Sequence, residues 1–410
     1  MKMNPAVLSL TSVRILTAIA VLAGLSIPTS TALQNVSFGL LVVAVMLCGP
    51  ARAQIGAVLR EPFVRGCLVF YAVFVVGVLW APSMHAAWLM LVKLRPYLFT
   101  PVIFAGCMLA CVRRGLLTGF GIGALLSAVI SLVSAALHHP VMHGLPGDYA
   151  VFRTHTYHNS FLSFVILAIA AFWLRGRIAG RYRWLAAVVL AVCAVDAFLF
   201  VSGRSAQGVL LATLCALFLL WDVRKGLLGL CVLAVVAIAL YSSSHLLKQE
   251  VARAQYDLQE SHKGLLVEPN GRENSVGLRL YFWRNALAVI RHDPYFGHGT
   301  GSYRATILAR DGSQGGANPH DDYLWVAVEL GAAGVLAMLV MLWGCFAQAC
   351  KLAAPERWIS WLVIASYAMT SLLNSYFTDN ITGTGFVLLT AAMLAGPWFN
   401  SSPSTVSHSS

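Results

Sequence analysis

Charge is what this sequence has least of. Lysine, arginine, aspartate and glutamate together make up 11% of 410 residues, against roughly a quarter in an ordinary water-soluble domain. Hydrophobic residues make up 59%. A chain with so few charges cannot clothe a water-exposed surface, so a soluble globular enzyme is excluded. Acid is scarcer still, with 16 Asp and Glu against 28 Lys and Arg, a net charge of +12. The nine cysteines all fall in or at the ends of apolar runs, and none forms a Cys-x-x-Cys pair. That pattern excludes a disulfide framework and a cysteine zinc site, and reads the cysteines as small hydrophobes. There is no nucleotide fingerprint, because "GHGTG" at 297–301 is followed by no Lys-Ser or Lys-Thr. No Asp-x-Asp motif, internal repeat or clear signal-peptidase site is present, so the first apolar run reads as a retained span.

What is there is apolar length. A bilayer-spanning helix needs about 20 mostly apolar residues, and the runs give about twelve spans: 8–27, 33–49, 64–81, 88–112, 115–137, 159–174, 184–202, 207–221, 226–243, 320–349, 356–374 and 383–399. The expected fold is an all-α integral membrane protein. Residues 1–243 carry nine spans, 244–319 one long helical loop before span ten, 320–399 three more spans, and 400–410 a polar, disordered tail.

Basic residues sort the loops. Arg52, Arg60, Arg65; Arg113, Arg114; Arg175, Arg177, Arg181, Arg183; Arg224, Lys225; and Lys351, Arg357 lie in alternate loops. By the positive-inside rule those loops and both termini are cytoplasmic. The opposite face then carries "HHPVMHGLPGDYAVFRTHTYH" (138–158), "SGRSA" (202–206) and the loop 244–319. Within that loop "SHLLKQEVARAQYDLQESHKG" reads as a polar amphipathic helix. "SVGLRLYFWRNALAVIRHD" reads as a second, with Leu278, Phe282, Ala286 and Ile290 repeating every fourth residue. Ser275 is its expected N-cap, and Pro294 follows its end.

Ionisable residues in or beside spans are functional candidates by default. Arg204 lies on the face where arginine is disfavoured. It reads either as a solvated turn residue or as a fixed cation aimed at an anion, a task suited to a planar guanidinium. Arg279, one turn before Trp283, is either a snorkelling interfacial residue or a second such cation. Lys93 and Arg95 either snorkel or meet a lipid phosphate. His320 in "NPHDDYLWVAVELGAAG" (318–334) is the sharpest candidate. Imidazole is the usual general base near neutral pH, and a position in the first helical turn would favour its neutral form. Asp321 is a possible orienter of the ring and Asp322 a bystander. A metal held by His320, Asp321, Asp322 and His298 or His155 is disfavoured, since adjacent His-Asp is not chelating spacing. Glu329 and Asp196 lie inside spans and need partners that the sequence does not name. Asp379 reads as a loop acid.

Two arginines and a neutral histidine at one face suit a lipid-linked diphosphate. The arginines would hold the diphosphate as a leaving group, and the histidine would take the proton of an acceptor hydroxyl. At these residues the sequence resembles the bacterial O-antigen ligase and polymerase superfamily, which also contains protein O-oligosaccharyltransferases. "GLRLYFWRNALAVI" (277–290) looks like its arginine-led helix, "RHDPYFGHGTGSY" (291–303) like its P-x-x-G-x-G turn, and "NPHDDYLWVAVELGAAG" like its histidine element. "SGRSA" looks like its short arginine loop. The resemblance implies a type-C membrane glycosyltransferase fold that acts at the periplasmic face of the bacterial inner membrane, inverting and without metal or cofactor. His320 would be the catalytic base. Arg204 and Arg279 would engage an undecaprenyl-diphosphate-linked glycan, and Asp379 is a weaker candidate. Lys93, Arg95 and Asp321 join the expected substrate contacts. Asp321 stands where Asn is usual, which leaves its own role open. Chain length and the single dominant late loop favour a ligase that joins the glycan to lipid A-core. O-antigen polymerase, protein O-oligosaccharyltransferase and, from another class, a transporter or flippase are the alternatives. Nucleic acid and nucleotides are not expected partners; membrane lipids are.

Overall fold

Backbone amides inside a bilayer have no water to bond, so apolar runs close their hydrogen bonds internally as helices. The computed structural model describes residues 5–398, apart from 143, 146, 244–247, 250, 253–254, 257–258, 260–274 and 312–317. Its helices are α1 Pro5–Thr29, α2 Thr31–Leu47, α3 Gly49–Arg52, α4 Ile55–Val58, α5 Pro62–Val76, α6 Met84–Leu98, α7 Thr100–Met108, α8 Ala110–Ala136, α9 His155–Leu174, α10 Arg183–Val195, α11 Arg204–Trp221, α12 Val223–Ser243, α13 Ser275–Ile290, α14 Tyr303–Asp311, α15 Asp322–Ala349, α16 Glu356–Thr370 and α17 Asn380–Leu394. Among the described residues the only β feature is an isolated bridge between Leu145 and Asp148. The expected all-α membrane protein is what the chain forms. The polar helix expected over 244–264 lies largely outside the described residues.

Among the described residues eight helices are long and apolar enough to cross a membrane, or nine if α2 and the sharply bent α3–α4 segment form one broken span. This is fewer than the twelve expected. Two of the missing spans are α16 and α17, which have only 15 residues each. They nevertheless run between the two faces of the bundle. At one face Lys351 pairs with Glu61 at 2.5 Å, and Arg113 donates to the Pro397 carbonyl at 2.8 and 3.0 Å. At the other, the 371–379 turn between α16 and α17 meets the start of α15, where the Asp322 amide donates to Ser371 O at 2.8 Å. Another is α12, a 21-residue helix only partly described.

Close helix packing in lipid relies on small residues, because burial from water gives no drive there. Gly115, Gly119 and Gly123 line one face of α8 against α1. A Cβ at Gly119 would lie 2.0 Å from the Val21 carbonyl oxygen, and one at Gly24 2.0 Å from that of Leu116. These backbones touch, and no other residue fits between them.

Candidate active site

The long helix α15 is interrupted at Gly331, whose φ of 58° and ψ of −152° are not helical. Four backbone groups lose their partners there, and the turn 294–301 supplies all four. His298 N donates to Val328 O at 3.1 Å and Gly299 N to Glu329 O at 2.7 Å. Ala332 N donates to Pro294 O at 2.8 Å and Ala333 N to Tyr295 O at 3.1 Å. Buried amides are rarely left unpaired, so turn and break are two halves of one element. Glycine is required on both sides. A Cβ at Gly331 would lie 2.4 Å from the Tyr295 carbonyl carbon, and one at Gly297 2.6 Å from that of Glu329. Glu329 completes the joint. Its Oε2 accepts from Gly301 N at 2.9 Å and its Oε1 from Trp325 Nε1 at 2.8 Å. Tyr303 stacks on Trp325 at 5.0 Å. The partners that the sequence left unnamed for Glu329 are these.

This joint holds α13 and α14 against the upper part of α15, where His320 sits. The expected first-turn position of His320 is corrected. The helix begins at Asp322 with Asp321 as its N-cap, and His320 precedes both with a left-handed φ of 53°. A non-glycine residue there is uncommon. Its amide is tied to Asn318 Oδ1 at 2.7 Å, and its ring is stacked at 6.5 Å on Phe282 of α13. Trp283 Nε1 donates to the Pro319 carbonyl at 3.1 Å.

The ring's proton can be assigned from its surroundings. His320 Nδ1 lies 3.2 Å from Asn374 Oδ1. That oxygen also accepts the Ser375 amide at 3.0 Å, so flipping the side-chain amide would turn its NH2 against that donor. Nδ1 therefore carries the proton, and Nε2 keeps the lone pair. Burial holds the pKa of His320 below its ordinary 6.5. The Asn374 bond opposes that shift, and the Arg279 charge adds to it. The imidazole is neutral near neutral pH and can accept a proton at Nε2.

Asp321 does not orient the ring. It accepts the Leu324 amide at 2.9 Å as a helix cap, and burial pushes its carboxyl up to about 6. Asp322, read as a bystander, is fully buried. Its carboxylate accepts from the Tyr376 amide at 2.6 Å, the Phe377 amide at 2.7 Å, and the Thr378 amide and hydroxyl at 3.2 and 2.5 Å. It therefore fixes the turn that carries Asn374. Among the described residues no three His, Cys, Asp or Glu side chains converge in a metal-holding geometry. His155 pairs instead with Asp148 at 3.2 Å and His298 with Asp293 at 3.3 Å.

Arg204 is the first residue of α11, after Gly203 with φ 139° and no capping side chain. A helix N-terminus presents free amides and a positive dipole end to an anion, and here a guanidinium stands at the same point. The preceding turn is tightly held. Asn159 Nδ2 donates to Ser202 O at 3.0 Å and Gln207 Nε2 to Ala197 O at 2.8 Å. The π-helical segment Asp196–Phe200 enters the turn, and Asp196 is anchored by His158 Nε2 at 2.7 Å, with both side chains fully buried. Arg279 on α13 is half-buried. Burial first, then the charge of Arg204, lower its pKa. The Arg204 charge thus acts on Arg279, and the Arg279 charge on His320. The trio, separated in sequence, thus forms a series with Arg279 between Arg204 and His320.

The remaining expected contacts are held by other partners. Lys93 sits over the Trp325 ring at 5.3 Å. Arg95 donates to Asn35 Oδ1 at 2.6 Å and Val92 O at 2.7 Å. Asp379 caps α17, accepting from the Ile381 and Thr382 amides at 2.8 and 3.3 Å. Sequence reasoning missed Arg153, which is 3% exposed. It donates to Ile27 O at 2.9 Å, Gln34 Oε1 at 2.9 Å and Thr31. Burial lowers its pKa to about 10, with Asp379 pulling the other way. The signal was available, because Arg153 stands on the same arginine-poor face as Arg204.

Residues 197–339 match the family model described as O-antigen ligase. The match supports membership of the O-antigen ligase/polymerase superfamily, whose members are membrane glycosyltransferase-like enzymes acting on lipid-linked glycans. It contains Arg204, Arg279 and His320. An uncharacterised protein of Haemophilus influenzae is 29% identical over 96 residues, covering 22% of this chain and 24% of that one.

Proposed function

We propose that the protein is an O-antigen ligase that transfers a glycan from undecaprenyl diphosphate to a sugar hydroxyl of lipid A-core at the periplasmic face of the inner membrane. The observation that carries this reading is a series of charges, Arg204 acting on Arg279 and Arg279 on His320, that ends at an imidazole with its proton on Nδ1. In the proposed step the acceptor hydroxyl attacks the anomeric carbon while the bond from that carbon to the phosphate oxygen breaks. Undecaprenyl diphosphate leaves with the electron pair, its charge held by Arg204, Arg279 and the amides at the start of α11. The hydroxyl proton passes to His320 Nε2. In-line attack inverts the anomeric centre. Lys93, Arg95 and Asp379 are engaged by other partners and are proposed only as outer contacts of the substrates. The single dominant loop before α15 favours a ligase over a polymerase.

The test is reconstitution in liposomes with lipid-diphosphate glycan and either lipid A-core or a second donor molecule. Product on lipid A-core is expected. Longer chains on the carrier would make the protein a polymerase, and movement without bond formation would make it a transporter. His320→Ala should cut turnover by roughly 10²–10⁴-fold, the usual contribution of a general base. Wild-type turnover in that variant would refute the assignment.

A further inference from the structure

A cavity lies at the opposite end of the bundle from His320. It encloses about 850 Å³ between α8, α9, α16 and α17, within the roughly 300–1,000 Å³ of small-molecule sites. Its wall is apolar, with Phe120, Phe164, Ile169, Val363 and Met393 among its residues, and Arg114, Arg177 and Trp398 gather at one end. No acidic residue lines it. From Arg114 to Gly121 is about two helical turns, ~10 Å at 1.5 Å per residue, which is within one leaflet of a hydrocarbon core about 30 Å thick. Thr118 and Arg177 are exposed and Ala168 and Ile169 half-buried, so the cavity opens outward. A Cβ added at Gly121 would meet nothing within 4 Å.

The two adjacent arginines of α8 are held differently. Arg113 is buried, and its guanidinium is spent on the carbonyls of Cys107, Met108 and Pro397. Arg114 has its Nε on the Trp398 carbonyl at 2.9 Å, which draws the side chain to the cavity mouth. A cationic mouth over an apolar slot one leaflet deep has the polarity of an anionic amphiphile. Basic pockets between helices on the arginine-rich side of a membrane protein recognise anionic head groups. The donor diphosphate does not compete for this mouth. Arg204 and Arg279 lie at the far end of the bundle, where the 371–379 turn meets the start of α9 through Tyr376 Oη and the Thr156 carbonyl at 3.2 Å.

We propose that this cavity binds an anionic phospholipid of the adjoining leaflet, its phosphate between Arg114 and Arg177 and one acyl chain in the slot. Purified protein in neutral detergent is titrated with phosphatidylglycerol or phosphatidylethanolamine of identical acyl chains, and melting is followed by tryptophan fluorescence. Phosphatidylglycerol should raise the melting temperature saturably and at lower concentration. The Arg114→Ala/Arg177→Ala variant should need roughly 30-fold more, the sum of two phosphate-facing cations. Arg114→Lys/Arg177→Lys should retain most of the response. Gly121→Trp, whose ring would fill the slot, should respond to neither lipid. A photoactivatable acyl-chain probe of phosphatidylglycerol should mark peptides within 117–121 and 164–172. Equal responses to both lipids, an unchanged response in the alanine or tryptophan variants, or marking only elsewhere would overturn the proposal. So would displacement of phosphatidylglycerol by undecaprenyl phosphate at equal concentration.

Discussion

At the scale of single residues, the electrostatics of His320 make a signed prediction. Acting as a base requires the neutral ring, and burial with the Arg279 charge keeps its pKa below 6.5 while the Asn374 bond pulls it upward. The acid limb of kcat/KM reports the free-enzyme base, so transfer should be lost only as pH falls through a value below 6.5. Arg279→Gln removes a like charge and should move that limb up in pH. Asn374→Ala removes an acceptor that stabilises the protonated ring and should move it down. Both variants lose turnover, so the opposite directions of the two limbs are the readout, measured on residual activity. Limbs that move together, or not at all, would show that His320 is not the titrating group. The proposed trio could be picked out from the sequence, Arg204 because it stands on an arginine-poor face, and Arg279 and His320 through the motifs that contain them. Asn374 and Asp322 could not. Their roles come from a turn that folds back from α16, and nothing in the order of residues says that 322 faces 376–378.

At the scale of elements, the joint between the 294–301 turn and the break in α15 was half legible. The glycines of "YFGHGTGSY" announced a turn, and "VELGAAG" announced small residues in a span. The exchange of four backbone hydrogen bonds between them was hidden, because periodicity treats α15 as one uninterrupted helix. The same oversight made Glu329 look like a lone intramembrane acid, when the turn's Gly301 amide and the Trp325 indole satisfy it. The joint carries a consequence for stability. Gly331→Ala combines a left-handed φ of 58° with a Cβ 2.4 Å from the Tyr295 carbonyl carbon, and alanine at φ > 0 costs more than about 1 kcal/mol. The variant should melt several degrees lower in detergent and lose transfer activity, because α13, which carries Arg279, loses its footing. Ala332→Gly, one position on, is exposed, needs no left-handed φ and keeps its amide for Pro294, so it should show neither effect beyond the small intrinsic penalty of glycine. Equal behaviour of the two would mean that the turn does not depend on the break.

At the scale of the whole molecule, hydropathy found where the chain is apolar but not how short a crossing can be. α16 and α17 fall below the length rule, yet contacts at their ends tie them to both faces. α17 runs from the Asp379 cap at the end of the 371–379 turn to Pro397 against Arg113. Flanking turns whose polar groups are satisfied by protein extend a short helix through the bilayer. The faces themselves are distinguished by arginine, and the positive-inside rule predicts that the arginine-rich one is cytoplasmic. The native cysteines make this testable. Cys111 and Cys350 are exposed and stand beside Arg113 and Lys351. Arg310, exposed on α14, lies on the segment that leads to His320. In cells with a permeabilised outer membrane, an impermeant maleimide should label Arg310→Cys while Cys111 and Cys350 react only after detergent. The reverse pattern would invert the molecule. It would put His320 and its arginines on the cytoplasmic side, where no periplasmic lipid A-core acceptor could reach them, so that one labelling experiment bears on topology and on the proposed acceptor together.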